Sequence, residues 1–505
     1  MLGKDWKQVM NMDEAKAIRK GAERAYSHRR QSKKPQNEQP WTANVLVFED
    51  PTLSHGGIVD RTWANCRQTL RDCDYTPDYR YMQMFLDVIF PLQWGFFDLH
   101  HRKPGRQWLF DAIVACEPLH HASLGLCLSF ESGLKAGYTN GHCDVTPQVR
   151  SSRLLALKGL QPHITDIQQK EAPCGPWLLA RATRAVAIII FLTSLEIFAE
   201  AGGAWDVHQS AAGTVLDMIE TQVAGTVQVP QTVELGAEIG PIGQLLASSP
   251  PSFETQALEF FVSTYVWADI LSEAAHGAWY GKPRVFDYLP LLRRNILDMR
   301  STMGCRNSIM IAMKEVSMLA LSPKTEHHQQ VDEIDALSSR IRDVIREEES
   351  VWHTMQGSEG DSCWVTLLHA YAALVYLQVT SIHLEVQGPG NHSQEYVEIH
   401  QNATKCLELL EALPPHLLIR VCWPFTIAGC MAGAGDVCDE AQTLLYHTRF
   451  RAVVQRVERA GHVLGFTWKG LIVMEECWKL RSCKPETFWC WRTTMEHMKT
   501  RILLI

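Results

Sequence analysis

The run VDEIDALSSRIRDVI, residues 331–345, decides the fold class. Val331, Ile334, Leu337, Ile341, Val344 and Ile345 recur at steps of three and four, while Asp332, Glu333, Arg340, Arg342 and Asp343 fall between them. Side chains at those steps share one face of an α-helix, so the run predicts an amphipathic helix laid on a core. The same rule recurs outward along the chain. After Pro250-Pro251, residues Leu258, Phe261, Val262 and Tyr265 follow it, with Glu254 placed to oppose the helix dipole, which predicts a second surface helix. The most apolar run, Ala185 to Leu192 continuing to Phe198, is flanked or interrupted by Arg181, Arg184 and Glu196. A bilayer span needs about 20 consecutive apolar residues, so this run predicts a buried core helix.

From Trp41 onward the pattern is helical nearly everywhere, and the expected architecture is all-α, a large irregular multi-helix array with little or no sheet. Gly202-Gly203 suits a helix C-cap. Irregular stretches are expected at 222–252, 353–362 and 386–394, where Gly, Pro and polar residues gather, and weak strand signals at 45–48 and 226–229. No fixed period of 30 to 50 residues recurs, which argues against a regular solenoid.

Charge divides the chain. Residues 1–34 hold ten Lys or Arg against four acids, although the whole chain of 505 residues carries −8. Residues 1–40 therefore read as a basic helix and flexible linker, and 41–505 as an acidic helical body. Nucleic-acid phosphates demand clustered Lys and Arg, so only the arm offers such a footprint. Its Arg29, Arg30, Lys33 and Lys34 suit nuclear import or sequence-independent phosphate contact, or equally a solvated linker. The first 20 residues lack the apolar stretch of a secretory signal. Fifteen scattered cysteines then read as reduced, buried thiols, and Asn391 and Asn402 as chance glycosylation sequons.

Catalytic patterns fail one by one. There is no phosphate-binding glycine loop of either common type and no His-Glu-x-x-His. Ser123 lacks the glycine two residues before it and reads as a helix-interior serine. Asp332, Glu333 and Asp335 lie on a polar helix face, where solvation is the ordinary role. The pairs His100-His101, His120-His121 and His327-His328 point about 100° apart on a helix and do not share a metal easily. No Cys-x2-Cys knuckle exists; Cys66 with Cys73, Cys483 with Cys490, and Cys422 with Cys430 and Cys438 have helical-face spacings that read as packing.

An ordered series of segments remains. It begins with Tyr81 to Pro91, Phe96-Phe97, Gly105-Arg106-Gln-Trp108-Leu109 and Pro118 to Ala122. It continues through Ser194 to Phe198, Trp205 to His208 with Ala211-Ala212, Phe253-Glu254, Ala257 to Phe261 and Trp267 to Leu271. The late landmarks are Gly304-Cys305, Glu315 to Leu319, Trp423-Pro424-Phe425, Gly429 to Ala432 and Glu476-Cys-Trp478. In order and spacing this series resembles the fungal-specific transcription factor domain, the helical regulatory region behind the zinc cluster of many fungal regulators, over roughly 41–481. Read physically, Phe85, Phe90, Trp108, Trp267 and Trp423 are core residues, Pro91 and Pro424 end or kink helices, and Gly105 and Gly429 permit turns or close helix contact.

The resemblance implies a nuclear transcription regulator, placed by analogy over a metabolic gene cluster. Its partners would be other regulators, a second copy of itself or a small-molecule effector, with DNA contacted weakly or indirectly and no membrane. The family's six-cysteine, two-zinc cluster has no counterpart in the sequence, so no cofactor is expected here and zinc only with a cluster encoded upstream. Two alternatives stay open: a helical enzyme or ligand carrier whose pocket would gather His120, His121, Glu196 and Asp269, and a pure dimerisation module.

Overall fold

Pro91 shapes the first turns of the fold. It has no N–H, and its ring would meet the carbonyl four residues back, so the chain leaves α1 (Pro77–Met84) through a π-helical turn at Phe85–Ile89 before α2 (Phe90–Leu99) begins. The computed structural model describes residues 77–99, 107–136, 146–168, 176–199, 205–224, 236–248, 253–277, 286–321, 327–355, 357–385, 393–435, 439–459 and 466–504. Among them the backbone is helical, with no strand. The basic residues Arg29, Arg30, Lys33 and Lys34, the boundary at 40/41, both strand signals and Gly202-Gly203 lie outside the described residues.

The chain continues through α3 (Gln107–Ala115), α4 (Glu117–Ala136), α5 (Pro147–Gln168), α6 (Pro176–Ala199), α7 (Trp205–Ala224), α8 (Gly236–Ser248) and α9 (Phe253–His276). Two short helices, α10 (Leu289–Arg293) and α11 (Met299–Met303), lead into α12 (Asn307–Leu319), α13 (His327–Val351) and α14 (Gly357–Glu385). The last part comprises α15 (Ser393–Ala412), a 3-10 turn at Pro415–Arg420, α16 (Cys422–Met431), α17 (Glu440–Arg459), α18 (Phe466–Cys483) and α19 (Trp491–His497).

The deciding stripe behaves as expected on α13: Leu337, Ile341, Val344 and Ile345 are buried and Asp332, Glu333 and Asp335 exposed, although Val331 at its start is also exposed. The run at 185–197 forms the buried interior of α6. The helix after Pro250-Pro251 differs from expectation. It is no surface helix, because Phe260, Val266, Trp267, Ala268 and Ile270 add apolar positions on every side and α9 is buried nearly all round. Two irregular stretches also contain helix. Gly240 (φ +64) and Pro241 break the pattern inside α8, and the Glu220 carboxylate of α7 caps the resumed helix by accepting from Ile242 N–H at 3.0 Å. Polar residues 357–362 open α14, where the fully buried Ser362 donates to the Gly304 carbonyl at 2.9 Å. Pro424 starts α16 instead of ending a helix, since a missing N–H costs nothing in a first turn.

Aromatic side chains build two clusters about two turns apart along one face of α9. In one, Phe260 lies 4.7 Å from Phe97, 5.4 Å from Trp94 and Trp108 and 5.5 Å from Phe90. In the other, Trp267 reaches His369 at 5.2 Å, His369 stacks on Trp423 at 6.0 Å, and Tyr376 joins Trp423 to Trp491. Gly304 is glycine for cause: its φ is +84, and a Cβ would lie 2.3 Å from the Phe96 ring. By length and composition α14 could cross a membrane, yet 94 % of its most apolar window is buried inside the fold.

Helix ends in this core are sealed by distant side chains. The final carbonyls of a helix lack intrahelical partners. Lys469 donates to Ile197 at 2.7 Å near the end of α6, and Trp491 Nε1 donates to Ala274 at 3.2 Å near the end of α9. His276 donates from Nε2 to Ile502 at 3.0 Å, and burial lowers its pKa to about 4, which keeps the ring neutral for that role.

Candidate functional site

A charge inside an apolar helix is costly unless paired, so the buried ionic groups mark where a special role is most visible. Glu196, on the inner face of α6, meets Arg153 of α5 at 2.6 Å and His208 Nε2 of α7 at 3.4 Å. Asp269, on α9, accepts from Tyr288 O–H at 2.7 Å and faces Lys314 of α12 at 3.7 Å, while Glu273 one turn along holds the same ammonium at 2.5 Å. His120 and His121 sit half-buried near the start of α4, with His121 Nε2 3.6 Å from Glu117. The four residues proposed for a common pocket thus divide among three sets of partners, none shared in these contacts. Ser123 is a buried helix-interior serine whose hydroxyl donates to the His120 carbonyl.

The Asp269 group has a pH signature. Burial, then the charge of Glu273, raises its pKa from 3.8 to about 7, against the pull of Lys314 and the Tyr288 hydrogen bond. A carboxyl whose folded pKa lies above its unfolded value adds stability that is full below the unfolded value and is lost as pH rises through the folded one. Between pH 3.8 and about 7 the native chain should therefore lose stability relative to an Asp269→Asn variant. Denaturant midpoints across that window test it; parallel curves for the two proteins would dismiss Asp269 as the source.

A third ionic group escaped the sequence reading. Glu348 of α13 is fully buried beside Arg306 Nε, with Arg300 Nη1 at 3.6 Å. The signal was present: residue 348 continues the 341, 345 stripe, so an acid occupies a core position. The cysteines follow the packing expectation for the most part, since nine of the ten described are buried and Cys483 is exposed. Among the described residues no set of three or more His, Cys, Asp or Glu could hold a metal ion, so those residues do not fit a two-zinc cluster; Cys66, Cys73 and Cys438 lie outside them. The Glu196, Asp269 and Glu348 groups each join two or three helices, whereas His121 and Glu117 pair within α4.

Comparison with known proteins agrees with the ordered series of segments. The profile of the fungal-specific transcription factor domain matches residues 80–505. The trichothecene biosynthesis transcription regulator TRI10 of Fusarium sporotrichioides is 24 % identical over 434 residues, which cover 84 % of this chain and 96 % of that protein. TRI10 of Trichoderma arundinaceum is 23 % identical, over 80 % of this chain and 93 % of its own length. The pestheic acid cluster transcriptional regulator 3 of Pestalotiopsis fici is 23 % identical, over 80 % and 71 %. No solved structure matches significantly. With the match running from the π-helical turn region to the end of the chain, the protein belongs to the fungal-specific transcription factor domain family.

Proposed function

We propose that the chain is a transcription regulator of a secondary-metabolite gene cluster, acting in the nucleus through its helical body. That body binds other regulators, a second copy of itself or a small-molecule effector, and it performs no turnover of its own. The observation that carries the reading is the family match over residues 80–505, supported by relatives named as regulators of trichothecene biosynthesis and of the pestheic acid cluster. Two of those relatives are matched over 96 and 93 % of their length, so proteins made of little beyond this region bear the name of regulator. Base-specific readout then falls to a DNA-binding partner or to a zinc cluster encoded upstream. Arg29, Arg30, Lys33 and Lys34 serve as the import signal.

Deletion of the gene in its source fungus, followed by transcript sequencing, is expected to change one contiguous block of biosynthetic genes together. A scattered response with no such block would sink the reading. Complementation with a fluorescently tagged chain in which the four basic residues are alanine should restore neither nuclear signal nor cluster transcription. Full rescue would assign the arm to an ordinary solvated linker.

A further inference from the structure

α17 lies between α15 and α18, and its outward side is built unlike that of α13. At 100° per residue, Ala441, Leu444, Leu445, Thr448, Ala452 and Gln455 fall within one arc about 100° wide that runs about 21 Å along the helix. All six are exposed, the two leucines by 61 and 57 %, and none carries a charge. On α13 the outward side presents Asp332, Glu333, Arg340, Arg342, Asp343 and Arg346, as a solvated helix does.

The margins of the arc are charged but tied back. On one side Arg449 holds the Glu411 carboxylate of α15 through two hydrogen bonds, at 2.8 and 2.6 Å, and Arg456 donates to the Leu410 and Leu413 carbonyls at 2.6 and 2.9 Å. On the other side Arg451 reaches Glu475 of α18 at 2.9 Å, and His447 stacks on Trp478 with ring centroids 3.9 Å apart. Those two pairs run α17 and α18 antiparallel, which sets Ile472, 40 % exposed and one turn before Glu475, beside the far end of the arc. The arginines whose stems could cover the leucines are thus engaged elsewhere.

We propose that this arc is where a second copy of the chain docks, its own α17 packed antiparallel across a two-fold axis. The inference rests on the reading of the chain as a regulator that binds itself, and it supplies the surface. Three features fit a second copy. The positions 441, 445, 448, 452 and 455 alternate steps of four and three, the seam by which two helices interlock side by side. Charge is divided along the helix: Asp439 and Glu440 precede the arc, whereas Arg449, Arg451 and Arg456 flank its second half. Parallel packing would set arginines beside arginines, while antiparallel packing brings the acids of each copy to the arginines of the other and opposes the two helix dipoles. The same reversal lays the bulky Leu444 and Leu445 against the small Ala452 of the second copy, and the two-fold axis repeats the fit on both sides. One pair of four-turn helices is a small contact, so the dimer should be reversible at micromolar concentration.

Sedimentation velocity of the full chain from about 1 to 100 µM is expected to show the mass rising from one chain toward two. Leu444→Glu together with Leu445→Glu should hold the protein at monomer mass throughout, with its circular dichroism unchanged because both side chains already face water. Orientation is read by mixing copies that bear Ala441→Cys with copies that bear Ala452→Cys and adding a short bismaleimide; a 441–452 link between chains is expected. A native chain that stays monomeric over the whole range, a dimer that survives the double substitution, or a 441–441 link would each overturn the proposal. Those outcomes leave the regulator reading standing, since the gene deletion decides it independently. Conversely, a scattered transcript response alongside an intact dimer would sink that reading alone.

Discussion

Truncation of Trp423 to alanine is expected to lower the unfolding free energy by about 3–5 kcal/mol. The indole is 1 % exposed, stacks on His369 at 6.0 Å with an interplanar angle of 10°, and meets the edge of Tyr376 at 6.2 Å. Little around it can move inward to refill the space. Residues 422–431 are all buried, and Gly429 and Gly470 already bring α16 and α18 to closest approach. Denaturant unfolding followed by circular dichroism measures the loss. Trp423→Phe should lie between the two, and Trp352→Ala, at a half-buried position against Trp364, should cost less than the Trp423 truncation. A loss under about 1 kcal/mol, ordinary for an unremarkable site, would contradict the assignment of Trp423 to the second aromatic cluster's centre.

Glu348→Ala should cost about 3 kcal/mol, the lower end for breaking a buried ion pair. The carboxylate has no access to solvent, whereas the side chains of Arg300 and Arg306 are 29 and 27 % exposed and can turn outward once it is gone. That asymmetry sets the direction of a second comparison. Removing Arg306 instead leaves Glu348 buried with only Arg300 at 3.6 Å, so Arg306→Ala should cost at least as much as Glu348→Ala. The double variant should be less damaged than the sum of the two, because neither charge is then left behind. Additive losses would mean that the pair contributes packing alone.

Helical content and the identity of the family were legible in residue order, because periodicity and landmark spacing are local properties of the chain. Placement was not. The stripe 258, 261, 262, 265 on α9 suits a surface helix until the aromatics at 260 and 267 are counted on its other sides, and those acquire meaning only through partners such as Phe97 and His369. Gly240-Pro241 reads as a loop because the cap that restores the helix, Glu220, comes from another element. Glu196 and Asp269 were recognisable as costly charges, but their separate partner sets depend on which helices adjoin.

The sealing of α9 also sets a timetable for the nascent chain. The Trp491 indole that caps Ala274 is 217 residues downstream, and the Trp205 indole waits for a carbonyl 296 residues downstream. At about 5–20 residues per second, the ribosome takes roughly 10–40 s to add that first interval. Throughout it the end of α9 lacks its cap, although Phe97, Lys314 and His369 are already in the chain for most of that time, and contacts so distant in sequence form slowly even in a finished chain. Chains truncated before Trp491 are therefore expected to leave the end of α9 without its cap, and cell-free translation of such truncations should give less soluble product than the full chain.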